Sequence, residues 1–518
     1  RGRWIDHWEP ENEAFWETTG KRIARKNLAF SIFAENLGFS IWVLWTIIVI
    51  NLANIGITMS VPEAFWLTAV PNLIGSFLRI PYTFAVPKFG GRAWTAISAS
   101  LLLIPVTLLA VIVPSGWLAS QSHDTQFWVL LGCAATAGFG GGNFSSSMAN
   151  ISFFYPEGKK GFALGLNAAG GNIGVAMAQL LVPLAIIVGV PAAAVKLPVH
   201  EVHLAYAGLM WMPLIIIAAV GAWFYMDSLT QAKSDGKAYG MALKQSQTWI
   251  MSILYIGTFG SFIGYSFALP LVIKNTFPEF LAQHVFIATY LAGLGFVGAL
   301  IGSVSRPFGG LMSDKLGGAR VTLVCFGGMA LFTLLAIEGV SSHSFWLFFG
   351  SYMVIFFFAG MGNGSTYRMI PSIFRALGEK EAEEKGLDPK ETALTFKRQA
   401  AAVIGIAGAI GAFGGFLIQV VLREASLGTN ALMTQATKAG QAAIAKAQAA
   451  GDAAGVAAAK ADLAATKAQI AASHSDWSIP ALWVFFGAYF VFGAMTWVFY
   501  LRKAKADSRI PSLAYASV

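Results

Sequence analysis

Twelve apolar runs constrain this chain more than any other feature. They cover roughly residues 28–50, 62–86, 93–114, 127–154, 161–190, 203–226, 248–273, 283–312, 320–340, 343–374, 399–423 and 478–501. Crossing the hydrocarbon core of a bilayer takes roughly 20 predominantly apolar residues, and inside that core the backbone must satisfy its own hydrogen bonds. The pattern therefore predicts an all-α membrane protein with twelve transmembrane helices. Composition agrees, because 56% hydrophobic and 12% charged residues lie outside the range of soluble domains.

Lys and Arg collect in short cytoplasmic loops, which sets the expected orientation. With the N-terminus inside, the cytoplasmic connections carry Lys88 and Arg92, Lys159 and Lys160, Lys233, Lys237 and Lys244, Lys315 and Arg320, the charged run 375–398, and Arg502, Lys503 and Lys505. The short external loops hold only Lys196 and Lys274. Both termini are expected in the cytoplasm of a multi-pass inner membrane protein. This bias accounts for the formal charge of +9 through orientation and anionic lipid headgroups, so nucleic acid is not expected as a partner. Cys133 and Cys325 both fall inside spans, which argues against a disulfide framework or a thiolate metal site. The first 27 residues are polar and aromatic rather than apolar, so no cleavable signal peptide is expected and the first span does the targeting.

Two segments stand apart from the spans. In "EPENEAFWETTGKRIARKN" acids come first and bases last, the order that complements a helix dipole. Residues 1–27 are accordingly expected to form a cytoplasmic interfacial helix. Residues 424–476 fall in the last external loop and contain the Ala-rich stretch 430–475. Its helix propensity, with a break near "GDAAG", predicts a helical hairpin or kinked helix outside the membrane.

The twelve spans divide six and six around residues 227–247, giving halves at 28–226 and 248–518. "VPKFGGR" after the second span and "GGLMSDKLGGAR" after the eighth occupy equivalent places. Such charged, Gly-rich turns resemble the loop signature of the major facilitator superfamily, whose halves rock about a central site to give alternating access. On that resemblance Asp314 is the gating residue.

Some spans carry residues that a lipid-facing helix does not need. "FGGGNFSSSMANISFFYP" (Phe139–Pro156), "GFALGLNAAGGNIGV" (Gly161–Val175) and "FAGMGNGSTYRMIP" (Phe358–Pro371) are dense in Gly, Ser and Asn. Close helix packing explains most of the glycines. The amides of Asn143, Asn150, Asn167, Asn172 and Asn363 need partners or a polar substrate. Arg79 and Arg306 lie deep in the equivalent second and eighth spans. An arginine at a helix centre costs about 2.5–3.5 kcal/mol on insertion scales and needs a partner. The spans offer few acids; Glu35 and Glu63 come nearest, toward helix ends. Two guanidiniums without paired carboxylates imply an anionic substrate, and their planar forks suit a small oxyanion.

"GGGNFSSSMANISFFYP" and "GMGNGSTYRMIP" closely resemble the two signature stretches of the NarK-type nitrate/nitrite transporters within the major facilitator superfamily. "FWETTGKRIARKNL", the arginine-bearing spans and "SDKLGGARVTLV" extend the resemblance over nearly the whole chain except the Ala-rich segment. It implies nitrate and nitrite as substrates, with Arg79 and Arg306 as the substrate clamp. Phe39 and Phe144 match its aromatic walls, Tyr255 and Phe259 its seventh-span pair, Tyr367 the tenth-span aromatic, and Asn167 and Asn172 the polar face of the fifth span. Arg368 departs from members with a neutral residue at that position.

Importing one anion against a negative-inside potential costs about 2.3 kcal/mol per 100 mV, so uptake needs coupling. Glu35, about two turns into the first span, is the candidate proton carrier for nitrate/H⁺ symport, unless it merely pairs with Lys26. Nitrate/nitrite antiport is the alternative and needs no titratable group. An enzyme is not expected, because no triad, phosphate loop or metal cluster is visible, and no cofactor is implied. A membrane nitrate sensor would need a signalling domain, and a channel would not need paired gate loops. The expected working unit is a monomer.

Overall fold

The computed structural model describes residues 3–232, 236–503, 512–514 and 518; Lys233 and Lys505 lie outside the described residues. Thirteen long helices follow in chain order among those described. They are α1 (Glu13–Ile55), α2 (Val61–Phe89), α3 (Gly91–Val111), α4 (His123–Phe154), α5 (Glu157–Ala185), α6 (Ala205–Tyr225), α7 (Ser246–Thr276), α8 (Ala292–Leu316), α9 (Gly318–Ser341), α10 (Phe345–Lys385), α11 (Pro389–Ala449), α12 (Ala453–Ser473) and α13 (Ile479–Leu501). All except α2, α4 and α12 are long and apolar enough to cross a membrane. Helices α2 and α4, at two further expected spans, have 29 and 32 residues. Length does not set them apart. They are less apolar because α2 holds Glu63, Arg79 and Lys88 while α4 holds the Gly, Ser and Asn of the signature stretch.

Three boundaries differ from the sequence expectation. The N-terminal helix is not separate from the first span, because α1 runs without a break from Glu13 through the basic run into the apolar one. No proline interrupts it; Trp16–Gly20 is a π-helical turn that leads directly into the α-helix Lys21–Trp42, and the turn at Val43–Leu44 and the 3-10 segment Leu52–Ile55 lie farther along, within the apolar run. The eighth span starts later than residue 283. Short helices Pro278–Gln283 and Val285–Tyr290 precede it, and Ala292, Gly293 and Leu294 all take positive φ, a sharp break before the arginine-bearing helix. The eleventh helix does not stop near 423 but continues to Ala449, turns at Gly451 (φ +68°) and returns as α12. A helix of 61 residues is about 90 Å long at 1.5 Å per residue, so its last third projects beyond the bundle.

The internal repeat is visible in the backbone. Helix α2 ends at Gly90 (φ 85°, ψ 149°) and α8 ends at Gly317 (φ 88°, ψ 136°), each passing directly into the next helix. Only glycine enters this region without steric penalty, which is why "FGGR" and "LGGAR" recur at equivalent turns.

One face of the bundle carries the ends of the chain. Strand β1 (Trp4–Ile5) pairs in parallel with β2 (Ser228–Leu229). The Val518 carbonyl accepts a hydrogen bond from the Ala319 amide beside the Gly317 turn. Trp8 and Trp16 pack against Phe154 and Tyr155 at the α4–α5 connection. Asp227 takes ion pairs from Lys26 (2.7 Å) and Arg3 (3.1 Å) and a hydrogen bond from Asn27.

The α11–α12 arm contributes almost nothing to the bundle. No residue of α12 is buried, and its contact with α11 is made by small side chains, as where Leu463 lies over Gly440. Replacing residues 432–472 with a short Gly/Ser bridge should therefore leave the unfolding midpoint in detergent within about 2 °C, less than the shift expected from 1 kcal/mol in a domain of ordinary size. A larger fall in a thermal-shift assay would mean that the arm braces the bundle.

Candidate anion site

Both deep arginines reach the interior of the bundle and lie against one and the same aromatic ring. The Arg79 guanidinium carbon lies 4.7 Å from the centre of the Phe144 ring, and that of Arg306 lies 5.8 Å from it. Arg79, 1% exposed, also lies against Phe259 (4.9 Å) and Trp42 (5.5 Å). Arg306 lies against Tyr367 (5.6 Å), and its Nη2 donates to the Tyr255 hydroxyl at 3.3 Å. Cation–π contacts of this kind compensate part of the desolvation of each cation. Among the described residues, no carboxylate forms an ion pair with either guanidinium. Glu63, the other acid considered from sequence, caps α2 at Ser60 and pairs with His123.

The fork of Arg79 is fixed by backbone. Its Nε donates to the Gly141 carbonyl at 3.1 Å and its Nη1 to the Gly408 carbonyl at 2.9 Å. A Cβ at position 141 would come within 2.6 Å of Trp42 and 2.8 Å of the Gly75 backbone. That contact explains why the signature stretch is glycine where it passes α2. The serines that follow serve two purposes. Ser145 donates to the Arg79 carbonyl at 2.8 Å, tying α4 to α2, and Ser147 donates to Glu35. Two guanidinium nitrogens, Arg79 Nη2 and Arg306 Nη1, are buried without a hydrogen-bond partner among the described residues.

Of the residues expected at the site, Phe39, Phe144, Tyr255, Phe259 and Tyr367 form one aromatic wall. Phe39 meets Phe144 edge-on (6.1 Å), Phe144 stacks on Phe259 (6.3 Å), Phe259 on Tyr255 (5.4 Å), and Tyr367 lies 6.5 Å from Tyr255. Asn167 faces Glu35 instead of the arginines, its Nδ2 donating to Oε2 at 2.7 Å. Asn172 is fully buried, and neither amide atom has a partner among the described residues. Asn143 and Asn363 are in the same condition. Glu35 is 1% exposed and does not pair with Lys26, which bonds Asp227. It lies close enough to both guanidiniums to interact with their charge. Asp314 pairs with Arg368 at 2.7 Å, so the arginine that departs from the family pattern ties α10 to the end of α8 and stays outside the clamp.

Sequence reasoning missed Trp42 and Ser147. Each lies three residues beyond a predicted wall residue, Phe39 or Phe144, hence on the same helix face. That spacing was the available signal. The carbonyls of Gly141 and Gly408 have no signal in the sequence, because a backbone acceptor is present at every position. A cavity of about 730 Å³ runs from Arg79, Phe144 and Tyr367 toward Glu157, Lys160 and Lys397 at the terminus-bearing face. At its mouth Glu157 pairs with Lys397 at 3.0 Å, linking α5 to α11.

Residues 28–419 match the family described as Major Facilitator Superfamily. The chain is 39% identical over 423 residues to "Nitrate/nitrite transporter NarU" of Escherichia coli strain K12, covering 79% of this chain and 87% of that protein. It is 35% identical to "Probable nitrate/nitrite antiporter NarK2" of Thermus thermophilus, covering 81% and 89%. Among solved structures, a bacterial homologue of the human lysosomal transporter Spinster, in an inward-facing and occupied conformation, superposes with a TM-score of 0.58. The match covers 90% of this chain and 96% of that one at 16% identity, and so speaks for the fold alone. These relatives are transporters, not enzymes.

A planar fork is what distinguishes Arg306 from any other cation. Arg306→Lys should therefore weaken binding of a small oxyanion by about tenfold or more, the loss expected when a charge-assisted hydrogen bond is removed. Calorimetric titration of the purified protein with nitrate reads this directly, and wild-type affinity in the mutant would sink the clamp assignment.

Proposed function

Because the chain belongs to the major facilitator superfamily, and within it to the nitrate/nitrite transporters, we propose that it imports nitrate across the inner membrane by alternating access, in symport with protons. The observation that carries this reading is the arginine pair. Two buried guanidiniums that both lie against the Phe144 ring each keep a nitrogen without a protein partner among the described residues. A flat, singly charged oxyanion such as nitrate or nitrite supplies the acceptors both nitrogens need. Aromatic faces around it exclude more strongly hydrated anions, whose water shells these walls cannot replace.

The terminus-bearing face is the cytoplasmic one on this reading, in line with its lysines and arginines. The cavity beneath Arg79 is then the inward release path. Residues 28–226 and 248–518 act as the two rocking halves, joined by the cytoplasmic linker 227–247, and the monomer is the working unit. Asp314, held by Arg368, braces the cytoplasmic end of the second half during this movement.

Glu35 supports symport. Its carboxyl is buried, is held by Ser147 and Asn167, and has no cationic partner bonded to it among the described residues. Ser147 is one helical turn from Phe144, so the proton site and the anion site share α4. A proton and a nitrate crossing together carry no net charge, which removes the opposition of the membrane potential. Exchange for internal nitrite is the second reading, favoured by the antiporter name of the Thermus thermophilus relative.

Glu35→Gln separates the two. It removes the proton site while keeping shape and hydrogen bonding. In proteoliposomes an inward proton gradient should no longer drive nitrate accumulation in this mutant, while exchange of labelled for unlabelled nitrate persists. Full proton-driven accumulation by Glu35→Gln would leave antiport as the better account.

A further inference from the structure

The seam between α2 and α11 borders the cavity at Arg79 and Gly408 and continues from there away from it, and its polar residues keep one register. Arg79 Nη1 donates to the Gly408 carbonyl at 2.9 Å. Seven residues earlier on α2 and seven later on α11, Asn72 faces Gly415, where a Cβ would lie 2.7 Å from Asn72 Oδ1. Four further in each direction, the Thr68 hydroxyl donates to Gln419 Oε1 at 2.9 Å. Gln419 Nε2 is in turn bonded to the Gly264 carbonyl of α7 at 2.7 Å. Spacings of four and seven put Thr68, Asn72 and Arg79 on one face of α2, over about 16 Å of helix axis. At the outer end Arg423 of α11 lies over the Trp66 ring at 5.5 Å.

Two of these three α2 groups are occupied by α11, and the middle one is not. Asn72 is 0% exposed and neither atom of its amide has a partner among the described residues. A buried amide in this condition is unfavourable unless another state of the protein gives it one. Separating α2 from α11 releases Thr68 from Gln419 and Arg79 Nη1 from Gly408. The Thr68 hydroxyl keeps the Phe65 carbonyl of its own helix as an acceptor at 3.0 Å, so an amide and a guanidinium are left as successive donors along one helix face, leading inward to the clamp.

We propose that Asn72, gated by the Thr68–Gln419 hydrogen bond, is an outer binding station where a small oxyanion arriving from the external side rests before it reaches Arg79. Neutral donors suit this task, since they hold a singly charged anion weakly enough to pass it to a cation two turns away. When the seam closes, Thr68 returns to Gln419 and Gly408 returns to Arg79, and the anion is left with the clamp. The inference rests on the nitrate-transport reading and goes beyond it in naming the outer path.

The test is sided. Using the full chain in oriented proteoliposomes, nitrate uptake and exchange are measured with substrate varied separately on the external and the internal side. Asn72→Leu should raise the external apparent KM about fivefold, the factor that accompanies loss of one hydrogen bond, and leave the internal one within about twofold. Equal changes on both sides, or none, would overturn the station, as expected if Asn72 only packs or holds a buried water. In a Cys133→Ala/Cys325→Ala background, Thr68→Cys with Gln419→Cys should cross-link on oxidation, stop transport, and recover on reduction. Failure to cross-link, or transport by the cross-linked protein, overturns the gate. If the wild-type protein moves no nitrate, the transport reading itself fails, and that result is distinct from an active wild type whose Asn72 variant shows no sidedness.

Discussion

Two like charges in an apolar interior set the terms for everything around them. The guanidiniums of Arg79 and Arg306 lie 4.7 and 5.8 Å from the same ring centre, so they are no more than about 10.5 Å apart. At an effective dielectric constant of about 20, their repulsion is at least about 1.6 kcal/mol, added to the desolvation of each. Aromatic faces and backbone carbonyls offset part of this, and neither neutralises the charge. A monovalent anion between them would add two attractions that outweigh the one repulsion. On the proposed reading, the preference for such an anion follows from electrostatics before any detail of shape is considered.

Holding two cations at such a place requires helices to approach unusually closely. Gly141 lets α4 pass Trp42 and Gly75 closely enough for its carbonyl to meet Arg79 Nε. In the second half Gly364 does the same beside the Arg306 backbone. The dense glycines are thus tied to the arginines. A side chain at either position would push apart the helices that aim the forks, so substitution there is expected to act on the site as strongly as on the fold.

This coupling explains how much of the molecule could be read in advance. The spans were legible because each must be apolar for about 20 residues, and the repeat was legible because Gly90 and Gly317 occupy backbone conformations that other residues avoid. Arg79 and Arg306 were legible as anomalies in apolar runs. The continuity of α1 was not, because a basic run followed by an apolar run suits either one helix or two, and only packing of Trp8 and Trp16 against α4 and α5 settles it. Asn167 is on the expected face of α5 but turns to Glu35, a choice that depends on which acid the neighbouring helix brings near. Gly408 could not have been singled out at all, since its contribution is a carbonyl whose position is set by the path of α11.

On the proposed reading, the placement of Glu35 lets proton and anion chemistry share one protein without a chain of titratable groups. The carboxyl feels both guanidiniums yet bonds to neither, and Ser147 and Asn167 hold it from the side. An anion held by the arginines and a negative charge on Glu35 draw on the same positive field and repel each other. On the proposed reading, an anion at the clamp therefore favours the proton-carrying carboxyl over the ionised one. Binding of the anion thus promotes binding of the proton, and by linkage the reverse also holds. On the proposed reading this reciprocity couples the two fluxes through the field of the two arginines, with no contact between carboxyl and substrate required.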